Sequence, residues 1–246
     1  MRRSIVALAS SAIALRAAVA QAPVPVPSPP PYRVTWWDAA TIAGAGTLAA
    51  IPVLAGLPHG PPPCAPCDPA SLPSIDRAAL HTFSGPAGTA STVLLVAVAG
   101  FGGVASTEGG GGIWGPRVRG HAVVFANALA WTVATTEWVK VLAHRSRPVL
   151  YTAAAPAAAS DRDNRRSFPS GHSAAAFSVA TAYLVMAQRE HLPHRARNAV
   201  LLFGGAATVA ALRVAAGQHF PSDVVAGAAV GSGIGWLVTH VRAIAR

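Results

Sequence analysis

Charge is scarce in this chain: Asp, Glu, Lys and Arg make up 11% of 246 residues, while 52% are apolar. A soluble domain typically carries about 25% charged residues, so this balance excludes an ordinary soluble surface and fits a chain set in a membrane. Acidic side chains are the rarest class, nine against nineteen Lys and Arg, for a formal charge of +10. Nucleic acid is not the expected partner, because there is no basic helix face, no aromatic–basic interleaving and no zinc-finger or RNA-binding signature. The basic residues lie between apolar runs instead, as expected of a membrane protein with an anionic substrate. Only two cysteines are present, Cys64 and Cys67. A zinc site would need two more ligands, with only His59 nearby, and a thioredoxin-like site would need a strand and helix around the pair. A structural disulfide in an oxidising compartment and a free pair remain as the two readings. The Gly109 to Gly112 run lacks a following phosphate-loop Lys and is read as a connector.

The N-terminus carries Arg2 and Arg3, an apolar run from Ser4 to Leu15, and Ala18-Val19-Ala20, the pattern of a secretory signal cut before Gln21 or of an uncleaved apolar segment. Residues 21–35 form a proline-rich linker, extended and without a core of its own. Trp36 and Trp37 suit an interfacial aromatic belt. Six stretches are then apolar enough to be membrane helices: about 39–57, 83–106, 121–142, 173–187, 198–214 and 223–240. Several are rich in Gly and Ala, notably Gly227 through Gly235, which lets helices approach closely in lipid. The expected domain is therefore 36–246.

Arg117, Arg119, Arg189, Arg195, Arg197, Arg242 and Arg246 mark three segments as cytoplasmic by the positive-inside rule. The intervening polar clusters then face the periplasm or outside of a bacterial-type inner membrane. Six spans place residue 38 inside, whereas a cleaved signal places it outside. The sequence favours cleavage, with 39–57, interrupted by Gly44, Gly46 and Pro52, not crossing; the outward-facing clusters hold in either case.

Three polar clusters stand at the ends of apolar runs. Arg165 to Ser173 reads RRSFPSGHS and offers the Ser170 hydroxyl, the unobstructed backbone of Gly171 and the His172 imidazole where a helix N-terminus would expose free N–H groups. Lys140 and Arg147 are seven residues apart, so a helix running to Pro148 would present both from one face. Arg213 adds a third cation from a later helix end. Together these would stabilise the non-bridging oxygens of a phosphoryl group. Of two histidines, His219 is followed four residues later by Asp223, a carboxylate placed to take one ring proton and leave the other nitrogen nucleophilic. His172 has no such partner and suits general acid work.

Read together, K-x6-R-P at Lys140 to Pro148, P-S-G-H at Pro169 to His172 and R-x5-H-x3-D over Arg213, His219 and Asp223 resemble, in order and spacing, the three-part signature of the type 2 phosphatidic acid phosphatase superfamily. That superfamily includes lipid phosphate phosphatases, bacterial acid phosphatases and vanadium haloperoxidases. Leu212 departs from the small residue or Ser common before the third-motif Arg. The resemblance implies an all-α integral membrane bundle of five or six spans around the phosphatase four-helix core, with the catalytic part at about 121–240. It also implies hydrolysis of a lipid phosphate or diphosphate without a metal or other cofactor. His219 would attack phosphorus, Asp223 would orient it, and His172 would protonate the leaving oxygen and then activate water. Lys140, Arg147, Ser170, Gly171 and Arg213 would hold the phosphate. Phosphatidic acid, phosphatidylglycerophosphate and undecaprenyl diphosphate are the candidate substrates.

Each motif alone has a plainer explanation. Lys140 and Arg147 could anchor a helix end at the headgroups, Asp223 could be a first-turn acid beside Pro221 and Ser222, and PSGHS could be an ordinary helix start. Glu137, three residues before Lys140, is expected to form a salt bridge with it. His144 is read as pocket-lining or interfacial, and His191 and His194 as solvated. Asp161, Arg162, Asp163, Arg165 and Arg166 are read as a charged lid or a headgroup-selecting loop. The rival activities are a soluble acid phosphatase, a vanadate-dependent haloperoxidase and a membrane binding protein.

Overall fold

The computed structural model describes residues 32–109 and 115–243; the expected signal segment and most of the linker and of the glycine connector lie outside them. The described chain is all-helical, with no strand. Six long helices are α1 (Trp36–Leu54), α3 (Gly85–Ala105), α4 (Pro116–Ala143), α6 (Gly171–Arg189), α7 (Arg195–Ala215) and α8 (Pro221–Arg242). Two single turns, α2 (Ser74–Arg77) and α5 (Ala155–Ala158), lie in the connections. Four of the long helices, α1, α3, α7 and α8, are long and apolar enough to cross a bilayer. Their outward residues include Val93, Val96, Val200, Leu201, Val225 and Leu237, all more than half exposed. Such apolar faces belong in lipid. The protein is a membrane helical bundle.

The centre of the bundle is α6, with 13 of its 19 residues buried. It packs most tightly on α8 because of one stripe of glycines. A Cβ on Gly227, Gly231 or Gly235 would collide with the backbone carbonyl of Ser170, Ala174 or Ser178 respectively, so only glycine at this four-residue spacing permits the approach. The first of those carbonyls begins α6, and the stripe therefore fixes the two helix N-termini side by side. Ser170 N–H donates to the Asp223 carbonyl (3.0 Å) and the Ser173 hydroxyl to the Val224 carbonyl (2.7 Å).

Helix α1 runs unbroken through Gly44, Gly46 and Pro52. The sequence counted these residues against a span, but the structure answers the most disruptive of them. Pro52 cannot donate to the Leu48 carbonyl one turn back, and the indole N–H of Trp138 on α4 donates to that carbonyl instead (2.9 Å). Asp38, near the start of α1, pairs with Arg242 at the end of α8. The start of α1 thus lies at the same end of the bundle as the Arg117–Glu190 pair (3.1 Å) and the Arg197–Glu108 pair (3.4 Å). The three motifs lie at the opposite end; of the six stretches expected to span, the helices at four are long and apolar enough to cross.

Candidate active site

Helix α4 stops at Ala143 because His144 takes the left-handed conformation, φ 47°. Lys140 and Arg147 are therefore not joined by helical periodicity, contrary to the sequence expectation. Arg147 is extended (φ −75°, ψ 161°), the conformation a following proline imposes. The segment 145–147 instead lies beside the second motif: Ser167 N–H donates to the Arg145 carbonyl (3.0 Å) and Arg147 N–H to the Asn164 carbonyl (2.8 Å). Chain reversal, rather than one helix face, brings the two cations to the site.

Ser170 caps α6, its buried hydroxyl accepting from Ser173 N–H (3.4 Å). Gly171 opens the helix, and Lys140 Nζ lies 3.4 Å from where a Gly171 Cβ would stand. The exposed N–H groups of a helix start and a cation thus face one spot. Glu137 accepts from Lys140 Nζ (2.6 Å) and also from the Arg166 guanidinium. Arg147 binds Asp163 (2.7 Å) and Gln218, and Arg213 donates to Ser91 on α3 (3.4 Å). Arg147, Arg213, Arg165 and Arg166 are all buried, and each keeps a guanidinium Nε without a protein partner. Buried donors left over in this way are the hydrogen-bonding capacity that an oxyanion would take up.

His219 is buried in the α7–α8 turn, and its Nδ1 lies 2.7 Å from the Ser167 carbonyl. A carbonyl can only accept, so Nδ1 carries the proton and Nε2 keeps its lone pair. Burial pushes the imidazole pKa down to about 4 against the opposing pull of the Asp223 carboxylate, which leaves the ring neutral at physiological pH. Asp223 Oδ2 is 3.8 Å from Nδ1, beyond hydrogen-bond reach. That oxygen accepts from the Ser167 hydroxyl (2.5 Å) and Phe220 N–H (2.8 Å), while Oδ1 accepts from Arg145 (2.5 Å). Asp223 is thus also the first-turn acid of α8.

His172, in the first turn of α6, lies in the electrostatic field of Arg213, His219, Lys140 and Arg147. Its Nε2 is 3.1 Å from the Thr92 hydroxyl, on an exposed face of α3. The structure therefore gathers Lys140, Arg147, Ser170, Gly171, His172, Arg213, His219 and Asp223 at one end of the bundle. His144, just after α4, and His191 and His194, at the other end of the bundle, are exposed. Among the described residues no cluster of three metal-binding side chains is present.

Sequence reasoning passed over five residues of this end: Ser91, Thr92, Arg145, Ser167 and Asp76. Arg145 lies inside the first motif and Ser167 two residues before the second, so both could have been weighed. Ser91, Thr92 and Asp76 belong to distant segments with no local signal. Cys64 and Cys67 form a disulfide, and Cys67 N–H donates to the Leu150 carbonyl (2.7 Å), fastening the α1–α3 connection to the segment just after the first motif.

A neutral buried histidine, a second histidine and three cations thus stand around the start of α6, at one end of a membrane helix bundle. The family model of the PAP2 superfamily matches residues 121–245, and the chain belongs to that superfamily. Membership points to phosphatase-type hydrolysis of phosphate esters. No curated protein matches the chain, nor does any solved structure.

Proposed function

We propose that the protein is a metal-independent phosphatase that removes a terminal phosphate from a lipid phosphate or diphosphate through a phosphohistidine. The observation that carries the chemistry is the fixed tautomer of His219, with Nδ1–H given to the Ser167 carbonyl and Nε2 free. In the first step the Nε2 lone pair attacks phosphorus and the bond from phosphorus to the leaving oxygen breaks. The leaving oxygen takes the proton of His172. In the second step His172 removes a proton from water, the water oxygen attacks phosphorus, and the P–N bond breaks to free inorganic phosphate. Lys140, Arg147, Arg213 and the α6 N-terminus carry the charge on the non-bridging oxygens throughout.

A lipid leaving group is supported by where His172 stands. Its neighbour Thr92 is exposed, beside Val93 at 64% exposure, so the proton donor sits next to a lipid-facing side of α3. A tail entering from the membrane between α3 and α6 would place its phosphate in the cradle and its ester oxygen near His172. By the positive-inside rule this end faces the outside of a bacterial-type inner membrane.

The test is phosphate release by detergent-purified protein from phosphatidic acid, a prenyl diphosphate and a soluble aryl phosphate, with His219→Ala alongside. Preference for a lipid substrate, abolished in the variant, is expected. Preference for the aryl ester would replace the lipid reading with a non-specific phosphatase, and equal turnover in the variant would remove the mechanism.

A further inference from the structure

The connection between α1 and α3, residues 55–84, carries none of the three motifs, yet it delivers a buried carboxylate to them. Asp76, on the single turn α2, is wholly buried. One of its oxygens accepts from Ser222 N–H (3.0 Å); the other accepts from the Ser222 hydroxyl (2.7 Å) and from Arg145 Nη2 (2.7 Å). Burial alone would raise the carboxyl pKa, but the donors from Ser222 and Arg145 outweigh it and hold Asp76 below its ordinary value, ionised. The other amino group of Arg145, Nη1, goes to Asp223 Oδ1 (2.5 Å), and the guanidinium stacks over the Phe220 ring at 4.6 Å.

We propose that Asp76 is a positioning residue for phosphoryl transfer, acting through Arg145 and Ser222 on Asp223 and thereby on His219. This inference rests on the phosphohistidine reading. Three features of the geometry carry it.

First, Arg145 divides its fork between two carboxylates. With Asp76 neutralised, both amino groups would be free to close on Asp223 as a bidentate pair, the geometry an Arg–carboxylate contact prefers. That would draw Oδ2 away from the Ser167 hydroxyl and from His219. Second, Asp76 accepts one of the unpaired N–H groups at the start of α8 and so sets the entry of the helix that carries Asp223 one residue later. Third, Asp76 takes a share of the Arg145 charge, so the trio of Asp76, Arg145 and Asp223 keeps one net negative charge, with Asp223 3.8 Å from the His219 ring, which gains positive character when Nε2 bonds to phosphorus. Removing the Asp76 charge removes that surplus. The hydrogen bonds of the Asp76 side chain go to Ser222 and Arg145 and not to Lys140, Arg147, Arg213 or a residue of α6, so the effect is expected in the chemical step and not in phosphate binding.

Asp76→Asn keeps the shape and loses the charge. Its expected signature in steady-state hydrolysis is a fall in kcat of about 10- to 100-fold, the range usual for a residue that orients a catalytic group. KM and the inhibition constant of vanadate, a phosphate-like anion, are expected to stay within roughly 3-fold, since the groups that bind phosphate are unchanged. Wild type and His219→Ala run in parallel. If wild type releases no phosphate, the functional reading itself falls. If wild type turns over, His219→Ala does not, and Asp76→Asn matches wild type, only the role of Asp76 falls. Equal loss of kcat and of vanadate affinity in a folded Asp76→Asn protein would also overturn it, by making Asp76 part of the scaffold of the cradle. Should Asp76→Asn not fold, Arg145→Lys, which keeps the charge but cannot divide a fork between the two carboxylates, takes its place; depressed kcat with vanadate inhibition within roughly 3-fold is expected, and wild-type kcat would refute the proposal.

Discussion

Asp223→Asn separates two ways a carboxylate can serve the buried histidine. If Asp223 held the His219 tautomer, its amide would invite the wrong ring nitrogen to carry the proton, a change that costs about 10⁴-fold in comparable nucleophile–histidine–carboxylate sites. Here the Ser167 carbonyl holds Nδ1–H at 2.7 Å, and Asp223 is 3.8 Å away. The carboxylate therefore acts on the charge that develops on the ring. Two unit charges 3.8 Å apart interact by about 4 kcal/mol at an effective dielectric constant near 20. Arg145 on Oδ1 cancels much of this, leaving about 1–3 kcal/mol, and each 1.4 kcal/mol is roughly tenfold in rate. Asp223→Asn is expected to lower kcat by about 10- to 100-fold, with a loss of stability of about 1–3 kcal/mol from the unpaired donors. The assay is steady-state phosphate release, after thermal unfolding in detergent has shown the variant folded. A loss near 10⁴-fold would mean that Asp223 sets the tautomer, and a loss under twofold would mean that its charge does not reach the reaction.

Two further outcomes follow from the site and the helix packing. Because burial lowers the His219 pKa from its ordinary 6.5 to about 4, the ring loses its proton below the usual range, so the nucleophile stays competent at pH 5.5. After correction for substrate ionisation, kcat/KM is expected to show no acid limb near 6.5 arising from His219; such a limb would contradict the burial argument. Gly231→Leu drives a side chain into the Ala174 backbone, whereas Gly233→Leu meets nothing within 4 Å. The first is expected to lower stability by about 3 kcal/mol or to prevent assembly and the second to be nearly neutral, read as unfolding temperatures in detergent; equal temperatures would disprove the close α6–α8 contact.

The residues gathered at one end of the bundle were legible because each motif is local: hydroxyl, glycine and histidine at 170–172 occupy one helix start, and His219 and Asp223 flank another. The long helices were legible as apolar runs, so the stretch read at 173–187 is the core of Gly171–Arg189. What escaped was tertiary. The end of α4 at Ala143 depends on backbone pairing with residues 164–167, which no periodicity reports, and so Lys140 and Arg147 were placed on one helix that does not exist. The tolerance of Pro52 depends on Trp138, 86 residues away in sequence, donating to Leu48. Asp76 has no signal at all in its own segment, since its meaning comes from Arg145 and Ser222.

The most direct test of the account is to trap the covalent intermediate. Protein quenched during turnover of a ³²P-labelled substrate and handled at alkaline pH, where phosphohistidine survives, should retain label on the peptide containing His219, and His219→Ala should retain none. Label absent from that peptide while wild type turns over, or hydrolysis undiminished in His219→Ala, would contradict the claim that this histidine attacks phosphorus.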